Sequence, residues 1–123
     1  MELQISRDLI EGIMELAHGR HPHETILLLR GKMNGNIIEI TESILPPFGV
    51  GGKGFATFRT GMLPFDLTLI GTLHSHPSGQ LSPSVGDLHN FFGKVMVIIG
   101  PPYKPENVVA FNKKGEKMTV NLT

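Results

Sequence analysis

The sequence predicts an α/β fold, namely a single domain with one mixed, curved β-sheet flanked by helices. Two observations support this prediction. An N-terminal segment carries apolar residues at helical spacing, and several short runs of aliphatic residues follow it, with turn-forming residues between them. A second, shorter helical segment interrupts these runs, so the expected order is one helix, four strands, one helix and three strands.

The composition is that of one ordinary domain, residues 1–123, with 40% hydrophobic residues, enough for a core without disulfides. Eleven basic and eleven acidic residues give no net charge, so no broad positive field is available for nucleic acid or an anionic membrane. No cysteine is present, so any metal must be bound by His, Asp or Glu. The absence of cysteine, of a signal peptide and of a long apolar run predicts a cytoplasmic protein.

The first helix is predicted between Ser6 and Gly19. Ser6 is a suitable N-cap, and glycine commonly follows the last turn of a helix. Ile5 and Ile10 are spaced as a hydrophobic staple across the cap. The apolar residues at helical spacing are Leu9, Ile10, Ile13, Leu16 and Ala17.

Two strands follow, "TILLLRGK" (25–32) and "NIIEITESIL" (36–45), around the pair Asn34 and Gly35, which favours a type I′ hairpin turn. The sheet therefore begins antiparallel. The glycine-rich segment "PPFGVGGKG" (46–54) is predicted to be a loop that serves the site, and "GFATF" is a weak strand. "LTLIGTLHSH" (67–76) is a stronger strand whose apolar run indicates burial on both faces.

The second helix is predicted over residues 84–92, opened by Ser82 and Pro83 and closed by Gly93. "KVMVIIG" then forms a buried strand. "NVVAFN" and "KMTVNL" form a terminal hairpin around a "KKGE" turn.

His74 and His76 lie one residue apart at the end of the strongest predicted strand, so both side chains point to one face. Pro77 ends that strand, and Asp87 falls in the short helix, where its carboxylate can face back toward the histidines. Two imidazoles and one carboxylate suit Zn²⁺ and leave a fourth position for water, which is typical of a catalytic zinc site. The alternatives are a surface histidine pair and an aspartate that only stabilises a helix N-terminus.

A water activated by such a metal needs a base to take its proton. Most carboxylates in the chain have a simpler explanation on exposed faces or in turns. Glu24 differs, because it stands at the start of the apolar run "TILLL", where an ionised side chain is costly without a partner. Glu24 is therefore the best candidate for the base.

These residues resemble a known family. A glutamate at a strand start in "HPHETILLLRG", followed by "HSHPSGQLSPSVGD", is similar to the motif of the JAMM (MPN+) metalloproteases. The resemblance is closest to the short archaeal members, covers nearly the whole chain and includes "GMLPFD" and "NKKGE". Thr25 and Leu27, which follow the glutamate, stand where small residues are frequent in the family. The insertions by which eukaryotic relatives bind ubiquitin are missing.

The resemblance implies an MPN/JAMM fold with a cytidine-deaminase-like core and a Zn²⁺ cofactor. It implies His74, His76 and Asp87 as zinc ligands, Glu24 as general base, and Ser84 as a hydroxyl donor to the oxyanion. The implied activity is that of an isopeptidase or peptidase that cleaves after the C-terminal Gly-Gly of ubiquitin-like proteins, such as the small archaeal modifiers. For Ser84 the alternative is a helix-capping role, which Ser82 could also fill.

An extended tail without side chains fits a narrow cleft and can add to a sheet edge. Phe48 and Phe55, in and next to the glycine-rich segment, are candidate substrate contacts. That segment is equally well explained as an irregular surface loop with no role in binding.

Two alternatives within the same family stay open: a peptidase for a sulfur-carrier protein or small amide, and a non-catalytic MPN scaffold. A zinc deaminase is disfavoured, because its signature requires cysteines. The oligomeric state, including a homodimer, and any proteasome or sulfur-transfer partner are also left open. Four histidines have no assigned role, and the first three are expected to be solvated: His18, His21, His23 and His89.

Overall fold

The structure is a computed structural model that describes residues 1–46 and 66–123. The predicted strand "GFATF", the residues Phe48 and Phe55, and all of the predicted loop except Pro46 lie outside the described residues.

The described strands form a closed barrel of mixed strand directions in the order β1-β3-β2-β4-β5-β6-β7. The predicted α/β class with a mixed, curved sheet is therefore confirmed, and the curvature is strong enough to close the sheet. The elements are β1 (Glu2–Ile5), α1 (Arg7–Arg20), β2 (Ile26–Asn34), β3 (Ile37–Ile44), β4 (Leu69–Ser75), α2 (Val85–His89), β5 (Val95–Ile99), β6 (Val108–Phe111) and β7 (Lys117–Leu122).

Strand β1 was not predicted, and it closes the barrel. It runs parallel to both β3 and β7, with Leu3 opposite Ile38 on one side and Val120 on the other. Its four residues alternate between half-buried and buried positions. Such a short alternation next to a strong helix signal carries little information in the sequence alone. Its pairing partners lie far along the chain, so only the tertiary fold defines it.

Helix α1 begins as predicted, because the Ser6 hydroxyl accepts a hydrogen bond from the Leu9 amide at 3.1 Å. The predicted end at Gly19 is wrong. The helix continues to Arg20, and the His21 amide donates to the His18 carbonyl at 3.2 Å. Of the predicted apolar face, Ile10, Ile13 and Ala17 are buried, Leu9 is half-buried and Leu16 is 41% exposed. Met14, which was not predicted for this face, is also buried.

The first hairpin turn also differs from its prediction. β2 ends at Asn34 and pairs with Ile37, so the two turn residues are Gly35 and Asn36. Gly35 has φ +64°, whereas Asn36 has no positive φ. A type I′ turn requires positive φ at both positions, and glycine at the first position alone is the requirement of type II′. The glycine was recognised correctly, but its place in the turn was shifted by one residue.

The barrel interior holds the main core, and the alternation along the strands decides which side chains enter it. Leu27, Leu29 and Leu73 point inward, whereas Met96 and Ile98 belong to a second cluster on the outside. Leu81 and Phe91, which flank α2, pack against this outer cluster. All seven residues of β4 are buried, so the predicted burial on both faces is confirmed.

The second helix is shorter than predicted, because α2 ends at His89, with Asn90 as its C-cap, instead of reaching Phe92.

Within residues 1–46 and 66–123, no helix is both long and apolar enough to cross a membrane.

Candidate metal centre

Strand β4 brings the two histidines to the outer face of the barrel near α2. His74 lies opposite Ile26 of β2 and Ile98 of β5, and 6% of its surface is exposed. His76 follows the last residue of β4, and its amide still donates to the Ile99 carbonyl at 2.8 Å. Residues on both sides of the strand end thus hold the histidine pair.

A tight turn after the strand returns the chain to the histidines. The Gly79 amide donates to the His76 carbonyl at 2.9 Å, and Gly79 has φ +87°, which a residue with a side chain rarely adopts. Ser84 then caps α2, and Asp87 is the third residue of that helix. The helix therefore presents the Asp87 carboxylate to the space in front of His74 and His76.

The ligating atoms of His74, His76 and Asp87 all lie within 4.8 Å of one another. The distance from His76 Nε2 to Asp87 Oδ2 is 3.2 Å, and that from His74 Nε2 to Asp87 Oδ1 is 3.9 Å. The two imidazole rings are 5.0 Å apart between centroids and tilted by 59°. Within the described ranges, no other group of three His, Asp or Glu residues meets in this way.

A hydrogen bond fixes the orientation of the His76 ring. His76 Nδ1 lies 2.7 Å from the Gln80 carbonyl oxygen, which can only accept, so Nδ1 carries the proton. Nε2 then faces Asp87, where a metal cation can take the place of a proton. This arrangement, a histidine whose far nitrogen donates to a backbone carbonyl, is the usual one for a metal ligand.

The protonation states also suit a cation. Burial lowers the pKa of His74 to about 4, only partly opposed by the Asp87 charge, so its imidazole is neutral at pH 7. Burial alone raises the pKa of Asp87, but hydrogen bonds from His76 and the Ser84 amide bring it down to about 2. For His76, burial lowers the pKa, yet the Asp87 carboxylate and the Gln80 carbonyl raise it overall. The set holds one half-buried anion, the Asp87 carboxylate, which attracts a positive charge.

Glu24 precedes β2 and is 8% exposed. Ile26 pairs with His74 in antiparallel register, so continuing the register by two residues puts Glu24 opposite His76. The charge of Glu24 contributes to the raised pKa of His76, which agrees with this proximity. The predicted base therefore lies beside the predicted ligands. Its role in catalysis stays a prediction.

The structure decides which serine caps the second helix. Ser84 Oγ accepts from the Asp87 amide at 3.0 Å, and the Ser84 amide donates to Asp87 Oδ2 at 2.8 Å. Ser82 Oγ instead accepts from Gln80 Nε2 at 3.1 Å. The prediction that Ser84 caps the second helix is thus confirmed. The cap uses Ser84 Oγ as an acceptor, so the hydroxyl proton remains free to be donated elsewhere.

An open cleft of about 510 Å³ lies in front of these side chains. Its lining includes the proposed base, the Ser84 hydroxyl and two of the three ligands, and among residues 1–46 and 66–123 no lysine or arginine contributes to it. The lining residues are Pro22, Glu24, His76, Pro77, Ser78, Gln80, Ser82, Pro83, Ser84 and Asp87.

Sequence reasoning gave no role to Ser75, which lies between two of the candidate ligands, or to Tyr103, which contacts two of the histidines that have no assigned role. Tyr103 Oη lies 2.6 Å from His21 Nδ1, and its ring stacks on His18 at 5.6 Å between centroids. These two histidines are exposed, as expected, yet they pack on Tyr103. Ser75 is fully buried and bonds to the segment that carries Glu24. Tyr103 belongs to no motif recognised in the sequence. Ser75 lies inside the quoted motif "HSHPSGQLSPSVGD", but no local pattern indicates its hydrogen bond to Thr25, 50 residues earlier.

Comparison with known proteins places these features in a family. The model of the prokaryotic homologs of the JAB domain matches residues 6–114. A protein of Haloferax volcanii described as a probable metalloprotease is 35% identical over 119 residues, which cover 91% of this chain and 74% of that protein.

Solved structures agree with this match. A JAB1/MPN domain protein from Archaeoglobus fulgidus has 34% identity and a TM-score of 0.68, with 98% of each chain covered. A structure described as JAMM, a metalloprotease-like zinc site in the proteasome and signalosome, has 30% identity and a TM-score of 0.66, with 98% of this chain and 97% of that chain covered. A protein from Desulfitobacterium hafniense, at 18% identity and a TM-score of 0.67, shares the fold, with all of this chain and 93% of that chain covered.

Proposed function

The chain belongs to the prokaryotic homologs of the JAB domain and is a metalloprotease-like domain of the JAMM type, and on that premise we propose that it is a zinc-dependent peptidase for ubiquitin-like proteins. It cleaves the amide bond, including an isopeptide bond, that follows their C-terminal Gly-Gly. The observation that carries the proposal is the convergence of His74, His76 and Asp87 beside Glu24 at one open cleft.

The donor set fits a divalent metal with a preference for nitrogen and oxygen ligands. His74 is neutral, His76 has a fixed ring, and Asp87 is ionised, so the three donors offer two imidazole nitrogens and one carboxylate. Zn²⁺ in this place supplies Lewis acidity, which polarises a carbonyl and acidifies a water molecule. Zn²⁺ held by these three residues would keep one coordination position for water, as in catalytic zinc sites.

The chain's own residues supply the proton transfer and the charge stabilisation. Glu24 accepts the proton of the attacking water and delivers it to the leaving nitrogen. The Ser84 hydroxyl donates a hydrogen bond to the developing oxyanion, a contribution worth about 10²-fold in rate. The cap that binds the Ser84 oxygen to the Asp87 amide holds the hydroxyl in place for that donation.

The residues that line the cleft are compatible with a substrate tail that carries no charged side chain. Prolines, serines and a glutamine form most of the cleft, and the part of the wall that the structure describes has no lysine or arginine to select an acidic residue. A Gly-Gly tail suits such a cleft. Each described strand pairs with two neighbours in the barrel, and addition of the tail to a sheet edge stays a prediction. The proposed partners are ubiquitin-like modifiers and their conjugates.

The proposal is tested with the zinc-loaded full chain and three substrates. These are a ubiquitin-like protein joined through Gly-Gly to a lysine side chain, the same protein with Ala-Ala in place of Gly-Gly, and a sulfur-carrier protein extended at its C-terminus by a short peptide. Cleavage of the first and not the second supports the proposal, whereas cleavage of the third alone identifies the sulfur-carrier alternative. A zinc-loaded chain that binds the conjugate without cleaving it contradicts the proposal and identifies the scaffold alternative.

A further inference from the structure

Strands β6 and β7 are joined by only two residue pairs. Ala110 pairs with Met118, and Phe111 pairs with Lys117, next to the turn that links the two strands. Every other neighbouring pair of described strands shares at least three residue pairs. Beyond Ala110 and Met118 both strands continue, but they no longer pair with each other.

The flanking hydrogen bonds show which backbone groups face the gap between the two strands. The Asn112 amide donates to the Glu116 carbonyl at 2.9 Å. In an antiparallel pair such bonds recur at every second residue, so Val108 and Val120 also direct their amides and carbonyls into the gap. The register of the described strands contains no pair between these two valines. This part of each strand is thus an edge without a strand partner among the described residues.

The edge of β7 is the longer of the two. On the other side of this strand, the Thr123 amide donates to the Ile5 carbonyl at 3.0 Å, so every second residue counted back from Thr123 serves β1. The residues between them, Val120 and Leu122, direct their backbone groups toward β6, which does not pair with them. Such an edge is a template for another extended chain.

A cleft of about 530 Å³ lies along this edge and is lined by residues of both strands. Val108 and Val120 belong to the lining and pack against the main core, yet both are only half-buried. The core is therefore accessible from the cleft, and an added strand with apolar side chains at alternate positions would cover it. In the described ranges, this cleft shares no lining residue with the cleft at the candidate metal centre.

The charges around the cleft differ between its two ends. Lys117 lines it near the turn, and Glu106 lines it at the other end. Lys113 and Lys114 lie in the same turn. The carboxylate of this turn, that of Glu116, accepts a hydrogen bond at 2.8 Å from another side chain of the turn. The turn end is therefore positive and suits an acidic residue.

We propose that this cleft binds an extended segment of a partner protein, which adds to β7 as a further strand. Its backbone pairs with Val120 and Leu122, and its apolar side chains cover the accessible part of the core. An acidic residue of the segment lies at Lys117. The main-chain hydrogen bonds provide affinity, and the side chains provide specificity. The inference does not rest on the proposed function, because neither the metal centre nor cleavage takes part in it or in its tests.

Hydrogen exchange in the free, monomeric full chain tests the edge. The amides of Val120 and Leu122 should exchange at least roughly 10-fold faster than the amide of Asn121, which lies between them and faces β1. Slow exchange at all three positions means that the edge is already covered, and it overturns the proposal. Slow exchange that appears only at high protein concentration assigns the edge to a second copy of this chain and also overturns the proposal.

The binding experiment uses a capped peptide, Asp-Val-Thr-Val-Thr, which has an acidic end and strand-forming residues with alternating valines. At millimolar concentration it should slow the exchange of the Val120 and Leu122 amides at least roughly 10-fold and leave that of Asn121 unchanged. The matched control peptide has the same side chains with every backbone amide methylated. It should give no protection, because its backbone cannot donate hydrogen bonds. No protection by the first peptide, or equal protection by both, overturns the proposal.

Charge reversal tests the position of the acidic residue. Lys117→Glu should weaken binding of the first peptide at least roughly 2-fold, and a peptide with Lys in place of Asp should bind this variant better than the parent. Lys113→Glu is the matched control, because Lys113 lies in the same turn but does not line the cleft. Equal binding of the first peptide by the two variants overturns the proposal.

Discussion

Ser84 and Asp87 are joined by two reciprocal hydrogen bonds: Ser84 Oγ accepts from the Asp87 amide, and Asp87 Oδ2 accepts from the Ser84 amide. The proposed oxyanion donor and a proposed metal ligand therefore belong to one capping box. Because the backbone of Ser84 makes the bond to the carboxylate, substitution of its side chain leaves that bond in place.

We predict that Ser84→Ala keeps its zinc, loses about 1 kcal/mol of stability with the cap, and lowers kcat roughly 10²-fold. Ser6→Ala is the control, since Ser6 caps α1 by the same type of bond. It should lose similar stability with no change in kcat. Urea unfolding and kcat are measured on the same samples. Equal kcat in the two variants would show that Ser84 only caps the helix and would contradict its role as oxyanion donor.

The second prediction concerns the ligand set. His76→Ala should hold no zinc after reconstitution, because two of the three donors do not suffice for a stable site. His89→Ala is the control, since His89 lies on the same short helix as Asp87 but outside the convergent group. It should hold about one zinc per chain, as the parent does. Metal content is measured by atomic emission after dialysis, and full occupancy in His76→Ala contradicts the site.

The third prediction is a pH dependence of the metal-free protein. The pKa of His74 falls to about 4 in the folded state because of burial, below the ordinary value of 6.5. The unfolded chain thus binds more protons between these values, so the stability is present above pH 6.5 and is lost as the pH falls toward 4. Urea unfolding in chelator across this range should show a steeper loss for the parent than for His74→Asn. Equal slopes contradict the assignment.

The fourth prediction uses two neighbouring buried hydroxyls. Thr25 Oγ1 is buried and has no hydrogen-bond partner among the described residues, whereas Ser75 Oγ accepts from the Thr25 amide. Thr25→Val should therefore raise the free energy of unfolding by about 1 kcal/mol, because an unsatisfied polar group is removed. Ser75→Ala should lower it by about 1–3 kcal/mol, because a buried amide loses its acceptor. Changes of the same sign in both variants contradict the hydrogen-bond assignment.

The sequence was most informative where a residue's chemistry and its spacing agreed. His74 and His76 end a strand, and Asp87 lies on the next helix, so strand alternation and one turn were enough to predict their convergence. The base candidate followed from the cost of burying the Glu24 charge. In both cases the argument needed only local geometry.

The sequence was least informative where distant segments decide the structure. Strand β1 forms because β3 and β7 lie on either side of it. The sequence of its four residues contains no information about these two neighbours. The bond from Thr25 to Ser75 joins residues 50 positions apart, so no local pattern announces it. The predicted end of α1 at Gly19 was wrong because glycine permits a helix to end but does not require it, and the helix continues to Arg20.

The central claim is that Glu24 moves the proton at a metal centre formed by His74, His76 and Asp87. Glu24→Gln keeps the shape of the side chain but cannot accept that proton. The most direct measurement is the single-turnover rate of Gly-Gly isopeptide cleavage by zinc-loaded Glu24→Gln, with zinc content determined on the same sample. The account predicts full zinc occupancy with a rate lowered at least roughly 10²-fold. A parent-like rate at full occupancy, or loss of the zinc, would contradict it.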